Sequence, residues 1–264
     1  MRPLRVVCAL LSVLLPALSA TGCAGPRKGP VVFFLDGAGW YSGSGPVEAG
    51  LRRAGYTGAF SRYSWSAFLG PAHDHFVNAS SRSIARGLAR KLEKVRRNDP
   101  HGQIHVVGLS AGTSVILLAL EQMAKGMQVD CVVLLSPTVS AEHDLTKAMQ
   151  HVRRCLYATS SPHDAIVGGL VVNADGRDGP PAGENGFRLP PGGGEKTRAA
   201  YARVVNLPWE PSYAGFNWSG GHTGVTSPEF IAAVIAPRLL TSEPFPLDRA
   251  VVHAPPVPAK EKPG

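Results

Sequence analysis

IHVVGLSAGTSVILLALE, residues 104–121, decides the reading of this chain. Val106 and Val107 belong to an apolar run that predicts a buried strand, and residues 113–121 predict a core-facing helix immediately after it. Between them lies Gly108-Leu109-Ser110-Ala111-Gly112, a turn with small residues at both flanks. A serine on such a tight strand-to-helix turn has its Oγ raised above the sheet edge, and small neighbours let the two backbones approach closely. The pattern GxSxG alone is weak in a chain with 30 glycines; the strand before it and the helix after it give it weight.

Outward from this turn, strand and helix patterns alternate. Residues 31–35 are fully apolar and end in Asp36-Gly37-Ala38-Gly39, a buried strand followed by a loop with close backbone approaches. A short helix at 46–54 and an interrupted strand at 57–63 follow. Residues 80–97 form an amphipathic helix with Ile84, Leu88, Leu92 and Val95 on one face, closed by Pro100. After the elbow helix come a strand at 129–135, a helix at 141–151 and a strand at 155–159. Residues 173–196 break the rhythm with clustered Gly and Pro and read as a surface insertion or mobile flap. A last strand at 204–207 precedes a helix opened by Ser227-Pro228-Glu229 and limited by Pro237. This spacing predicts an α/β domain over 31–242, a mainly parallel sheet flanked by helices. The Pro-rich residues 243–264 read as an extended, poorly ordered tail, and no internal repeat is present.

At 264 residues, with 44% hydrophobic and 17% charged, the chain can bury a single-domain core without disulfide staples. Its first 22 residues have the form of a signal peptide: Arg2 and Arg5, then an apolar run at 6–18 too short for a membrane span. The following Leu18-Ser19-Ala20-Thr21-Gly22-Cys23 resembles the lipobox of bacterial lipoproteins, which implies lipidation of Cys23, a linker at 23–30 and a membrane anchor in the cell envelope. Ala20 departs from the leucine preferred there, so release by ordinary signal peptidase stays open. The mature chain keeps 25 basic against 19 acidic residues, a surface suited to an anionic membrane or wall polymer. Nucleic acid is not the expected partner, because the basic residues are dispersed; Lys91, Lys94, Arg96 and Arg97 cluster only late in a helix, where cations favour its dipole. Cys8 leaves with the signal, so Cys131 and Cys155 remain, expected as buried thiols, with a disulfide permitted by export.

A serine hydroxyl needs a base, and the base needs an orienting carboxylate. Asp164 follows the 155–159 strand, where catalytic groups of α/β sheets gather, and His222 lies in the flexible Gly220-Gly221-His222-Thr223-Gly224. In GLSAG, SPHDAIV and GGHTG, in that order, the chain resembles the α/β-hydrolase superfamily over residues 30–240. The resemblance implies an α/β-hydrolase fold and acyl transfer to water through an acyl-serine, without metal or organic cofactor. It assigns Ser110 as nucleophile, Asp164 as acid and His222 as base. It also implies oxyanion donors at the backbone N–H groups of Ala111 and Ala38. The oxyanion loop departs from the family's His-Gly pair: Asp36 holds the histidine position, and since a carboxylate facing the hole would oppose the oxyanion, Asp36 is expected to turn away and bond backbone donors, impaired activity being the alternative.

Each assignment has a rival. Asp175 or Asp178 are alternative acids; His163 and His253 are alternative bases. His73 and His75 form an HxH pair without nearby ligand spacing, and His101 and His105 read as a loop and a sheet residue. Trp40 and Tyr41 are expected to border a substrate pocket. The expected function is hydrolysis of small-molecule or lipid carboxylic esters. An acyltransferase, or an envelope binding protein on a hydrolase scaffold, are the other readings.

Overall fold

The apolar runs of the sequence become parallel strands in the computed structural model, which describes residues 29–38, 41–65, 78–169, 173, 175 and 177–241, with backbone alone at 78–81. In chain order the strands are Val31–Leu35 (β1), Ala59–Arg62 (β2), Ile104–Leu109 (β3), Cys131–Leu135 (β4), Leu156–Ser160 (β5) and Val204–Pro208 (β6). They pair in the order β2-β1-β3-β4-β5-β6, all parallel. The direction of winding reverses between β1 and β3, which are neighbours with Leu35 opposite Gly108. A crevice at the carboxyl ends of two such strands is where open α/β sheets place their ligands.

Helices cover both faces: Ser44–Arg53 (α1), Asn78–Asn98 (α2), Gly112–Gln122 (α3), Thr146–Met149 (α4), Ala165–Gly169 (α5), Ala182–Asn185 (α6) and Glu195–Tyr201 (α7). Because side chains alternate along a strand, Phe33, Leu35, Val106, Val132 and Leu134 pack under α2 and α3, whereas Val32, Phe34, Val107, Val133 and Leu135 pack under α1 and the last helical run. Both sets are buried, which is why the strands read as unbroken apolar runs rather than alternating ones. Lys91 and Arg96 also serve the fold: Lys91 Nζ lies 5.4 Å from the Phe33 ring centroid, and Arg96 pairs with the buried Asp130 at 2.8 Å. Cys131 and Cys155 are buried thiols at the start of neighbouring strands, and burial pushes Cys131 up to about 11.

Two expectations are corrected, and a third is refined. The 141–151 helix shrinks to Thr146–Met149, because Asp144 Oδ1 takes the Thr146 N–H at 2.9 Å and sets a local turn that competes with helix. The final helix does not stop at Pro237. It runs over 228–240 through a π-helical stretch, Ile231–Ile235, which loosens the ladder where proline would otherwise clash. Arg238 Nη1 donates to Val234 O at 2.6 Å and so supplies a donor within that stretch. Finally, the described part of 173–196 lies largely at the surface, with 177–179 and 194–196 exposed, but 182–187 are tied into the body. Ala182 N–H donates to Val139 O, Gly183 N–H to Pro137 O, and Ala182 and Phe187 are buried. A Cβ at Gly183 would lie 2.7 Å from Pro137 O, so only glycine lets these two backbones meet.

Candidate active site

Ser110 follows the last residue of β3 with φ 52°, a left-handed conformation that a residue with a side chain adopts at a cost of about 1–3 kcal/mol. The conformation is over-determined by its surroundings. Its N–H donates to Leu135 O at 2.8 Å, and its carbonyl accepts the Thr113 N–H at 2.9 Å and the Thr113 hydroxyl at 2.5 Å. Gly112 is required for packing, since a Cβ there would meet Asp36 O at 2.5 Å; a Cβ at Gly108 would meet the tip of the Ile116 side chain, Cδ1, at 2.5 Å and press it aside. Since the Ser110 N–H is committed to β4, the first helix-start amides of α3 are those of Ala111 and Gly112, which have no intrahelical carbonyl to reach.

Asp164 lies between β5 and α5 with its side chain wholly buried. Its Oδ1 accepts the Val167 N–H at 3.1 Å, and its Oδ2 is 2.8 Å from His222 Nδ1. Of the carboxylates considered as acid, Asp164 is therefore the one bonded to His222. Asp175 instead bonds His143, and Asp178 offers its carbonyl to Ser140. No hydrogen bond among the described residues claims His222 Nε2. Gly220, with φ 95°, is pressed onto the acid loop, where an added Cβ would meet His163 Cβ at 2.8 Å. The His222 loop is carried by an aromatic block that the sequence analysis did not single out. Trp218 is fully buried against Phe230 and Tyr213, its Nε1 donates to Gly221 O at 3.0 Å, and its carbonyl accepts Trp209 Nε1 at 2.9 Å. His163 is exposed and stands edge-on to Trp209, as a loop-lining residue.

The loop after β1 abuts the elbow, for a Cβ on Gly37 would lie 3.0 Å from Ser110 Cβ. Ala38 follows it, half-buried. The Asp36 carboxylate is held by its own loop: Oδ1 accepts the Gly43 N–H at 2.6 Å, and Oδ2 accepts from Ser42 Oγ at 3.1 Å and Arg62 Nη2 at 3.4 Å. Tyr41, expected to border substrate, has a second employment: its hydroxyl is 2.5 Å from Thr226 Oγ1, which lies four residues after His222. Trp40, Cys23, His73, His75 and His253 lie outside the described residues.

A second buried histidine cluster sits behind the site. His143 Nδ1 is 2.9 Å from Asp175 Oδ2, and its Nε2 is 3.3 Å from Glu121 Oε1 at the end of α3. Burial alone would lower the His143 pKa, but hydrogen bonds to Asp175 and then Glu121 outweigh it and raise the value to about 9. Asp175, opposed by burial, is lowered by the same bond to His143. Chain spacing offers Asp175 as a rival partner for His222; it says nothing about which imidazole an acid meets, and the fold brings Asp175 to His143 instead. A cavity of about 480 Å³ opens at the opposite edge of the sheet, beside Gly58, Asp99 and Gln103, far from any of these groups. Among the described residues no cluster of three or more His, Cys, Asp or Glu side chains is placed to hold a metal, and no helix is long and apolar enough to cross a membrane.

Neither a protein-family model nor a curated protein sequence matches the chain. Solved structures do. It is similar to a cutinase-like protein from Cryptococcus sp. at 11% identity and TM-score 0.43, covering 80% of this chain and 92% of that one. It is similar to Est1E from Butyrivibrio proteoclasticus at 12% identity and TM-score 0.44, covering 83% and 90%. The esterase Pf2001 of Pyrococcus furiosus is similar at 14% identity and TM-score 0.39, covering 72% and 78%.

Proposed function

We propose that the chain is a serine hydrolase of carboxylic esters that works through Ser110, His222 and Asp164. The observation that carries this reading is the buried Asp164–His222 hydrogen bond of 2.8 Å, at the same sheet edge as a serine held at φ 52° on its elbow. In this reading His222 Nε2 takes the Ser110 hydroxyl proton as Oγ attacks the ester carbonyl, and a tetrahedral oxyanion forms. The Ala38 and Ala111 N–H groups donate to that oxyanion. His222 then gives the proton to the departing alkoxide, leaving an acyl-serine and free alcohol. Water, deprotonated by His222, releases the acid and regenerates Ser110. Asp164 keeps Nδ1 protonated throughout, so that Nε2 is the basic nitrogen, and it stabilises the transient imidazolium. Export and anchoring through a lipid on Cys23 complete the proposal and rest on the lipobox-like residues 18–23.

The test is labelling of the purified mature protein with a fluorophosphonate, comparing wild type with Ser110→Ala and His222→Ala. Labelling that requires both residues supports an activated serine. A folded wild type that does not label overturns the hydrolase reading and favours a binding scaffold. Product analysis with added alcohols separates hydrolysis from acyl transfer.

A further inference from the structure

Asp36 is the residue that most departs from the hydrolase pattern, and its contacts assign it a task. Its carboxylate takes the Gly43 N–H at 2.6 Å, at the residue that caps α1, and so places negative charge at the positive end of that helix. Ser42 Oγ and Arg62 Nη2 occupy the other oxygen. All three donors belong to the α1 and β2 side, not to the elbow. The Asp36 carbonyl is pinned as well: Trp65 Nε1 donates to it at 2.6 Å, and the Gly112 backbone packs on it so closely that a Cβ there would come within 2.5 Å. With both ends of Asp36 fixed, the next residue, Gly37, lies against Ser110.

We infer that Asp36 is a positioning residue: by closing the 36–43 loop onto the Gly43 N–H, it aims the Ala38 N–H at the oxyanion formed on Ser110. The inference rests on the hydrolase reading above. It goes beyond the expectation that Asp36 turns away to backbone donors: the carboxylate charge faces the start of α1 and Arg62, and its function is to hold a backbone amide in place. Preorganised donors of this kind lose their value when displaced by about 1 Å, which costs on the order of 10²-fold in rate.

The experiment compares wild type, Asp36→Asn and Asp36→Ala in the full mature chain. It measures fluorophosphonate inactivation, resolved into the maximal rate and the half-saturating concentration, alongside amide exchange of the peptide spanning 36–43 and thermal unfolding. Asp36→Ala is expected to lower the maximal inactivation rate about 10²-fold, with half-saturation within about threefold, while exchange in 36–43 quickens. Asp36→Asn keeps an acceptor for Gly43 but not the charge, and is expected to fall between the two; it carries the test if the alanine variant does not fold. A folded Asp36→Ala that inactivates within twofold of wild type overturns the inference and leaves the hydrolase reading standing. So does an asparagine variant as slow as the alanine one with 36–43 exchange unchanged, which would mean that charge and not loop position matters. A wild type that never labels overturns both readings together, and quickened exchange in Asp36→Ala would then report a fastened loop without an oxyanion role.

Discussion

Among the described residues two largely buried histidines, His143 and His222, meet carboxylates, and they differ in one nitrogen. His143 has both ring nitrogens engaged, Nδ1 on Asp175 and Nε2 on Glu121, so it must carry two protons to donate twice and is held as an imidazolium. His222 has Nδ1 on Asp164, and no described residue bonds its Nε2. The first arrangement ties the Gly/Pro-rich segment to the end of α3. The second leaves Nε2 without a described partner, the nitrogen to which the proposed function assigns a proton in transit. A carboxylate beside a histidine is thus no sign of catalysis; what separates the two roles is whether the far nitrogen is spoken for.

The strongest way to break this comparison is at His222. His222→Ala is expected to lower kcat by at least about 10³-fold and also to cost stability, because it strands the wholly buried Asp164 carboxylate, and Asp164→Asn to lower kcat by about 10⁴-fold by permitting the wrong tautomer. Steady-state kinetics on a chromogenic ester checks both, and near-wild-type turnover in either variant would remove the pair from the chemistry. At His143 the effect should appear in stability and not in turnover. His143→Ala strands two largely buried carboxylates and is expected to cost about 3–5 kcal/mol in denaturant unfolding, while kcat stays within a few-fold.

A pH series sharpens the contrast. The folded pKa of His143 is raised from 6.5 to about 9, so the stability it contributes is complete below about pH 6.5 and is lost as pH rises through about 9. Unfolding free energy is therefore expected to fall across that window, by on the order of 2–3 kcal/mol, and the fall should vanish in His143→Gln. Among the described residues Asp175 and Glu121 bond it, Glu142 and Asp144 flank it in the chain, and Arg177 pairs with Asp175. The smallest effect is predicted for Tyr41→Phe. Loss of the hydroxyl that meets Thr226 should cost about 0.5–1.5 kcal/mol of stability, with a few-fold lower kcat from a looser His222 loop; an unchanged enzyme would return Tyr41 to the role of a bystander or of a substrate wall.

Much of the fold was legible because its determinants are local. Buried strands of a parallel sheet need apolar side chains on both faces, so each central strand announced itself as an apolar run, and the elbow showed in the small residues of a tight strand-to-helix turn, although the contact that demands Gly112 comes from the distant Asp36 carbonyl. Boundaries failed where a side chain competes with the backbone, as at Asp144, or where a local rule is absorbed by a rarer geometry, as at Pro237. The Gly/Pro-rich segment reads as a surface insertion because its composition records backbone freedom; it does not record the contacts of Ala182 and Gly183 with Val139 and Pro137 in the loop after β4.

By itself the sequence determined the parallel α/β architecture, the serine on its turn and the set of acids and histidines at the carboxyl ends of the strands, since hydrophobic period, turn chemistry and chain order are properties of neighbouring residues. Only the tertiary structure decided that Asp164 meets His222 while Asp175 meets His143, and that Asp36 spends its charge on Gly43, Ser42 and Arg62. The two histidine pairings join residues 58 and 32 positions apart. Their partners are chosen by where the packed sheet delivers each loop, and a charged group buried there takes whichever donor that packing brings within reach.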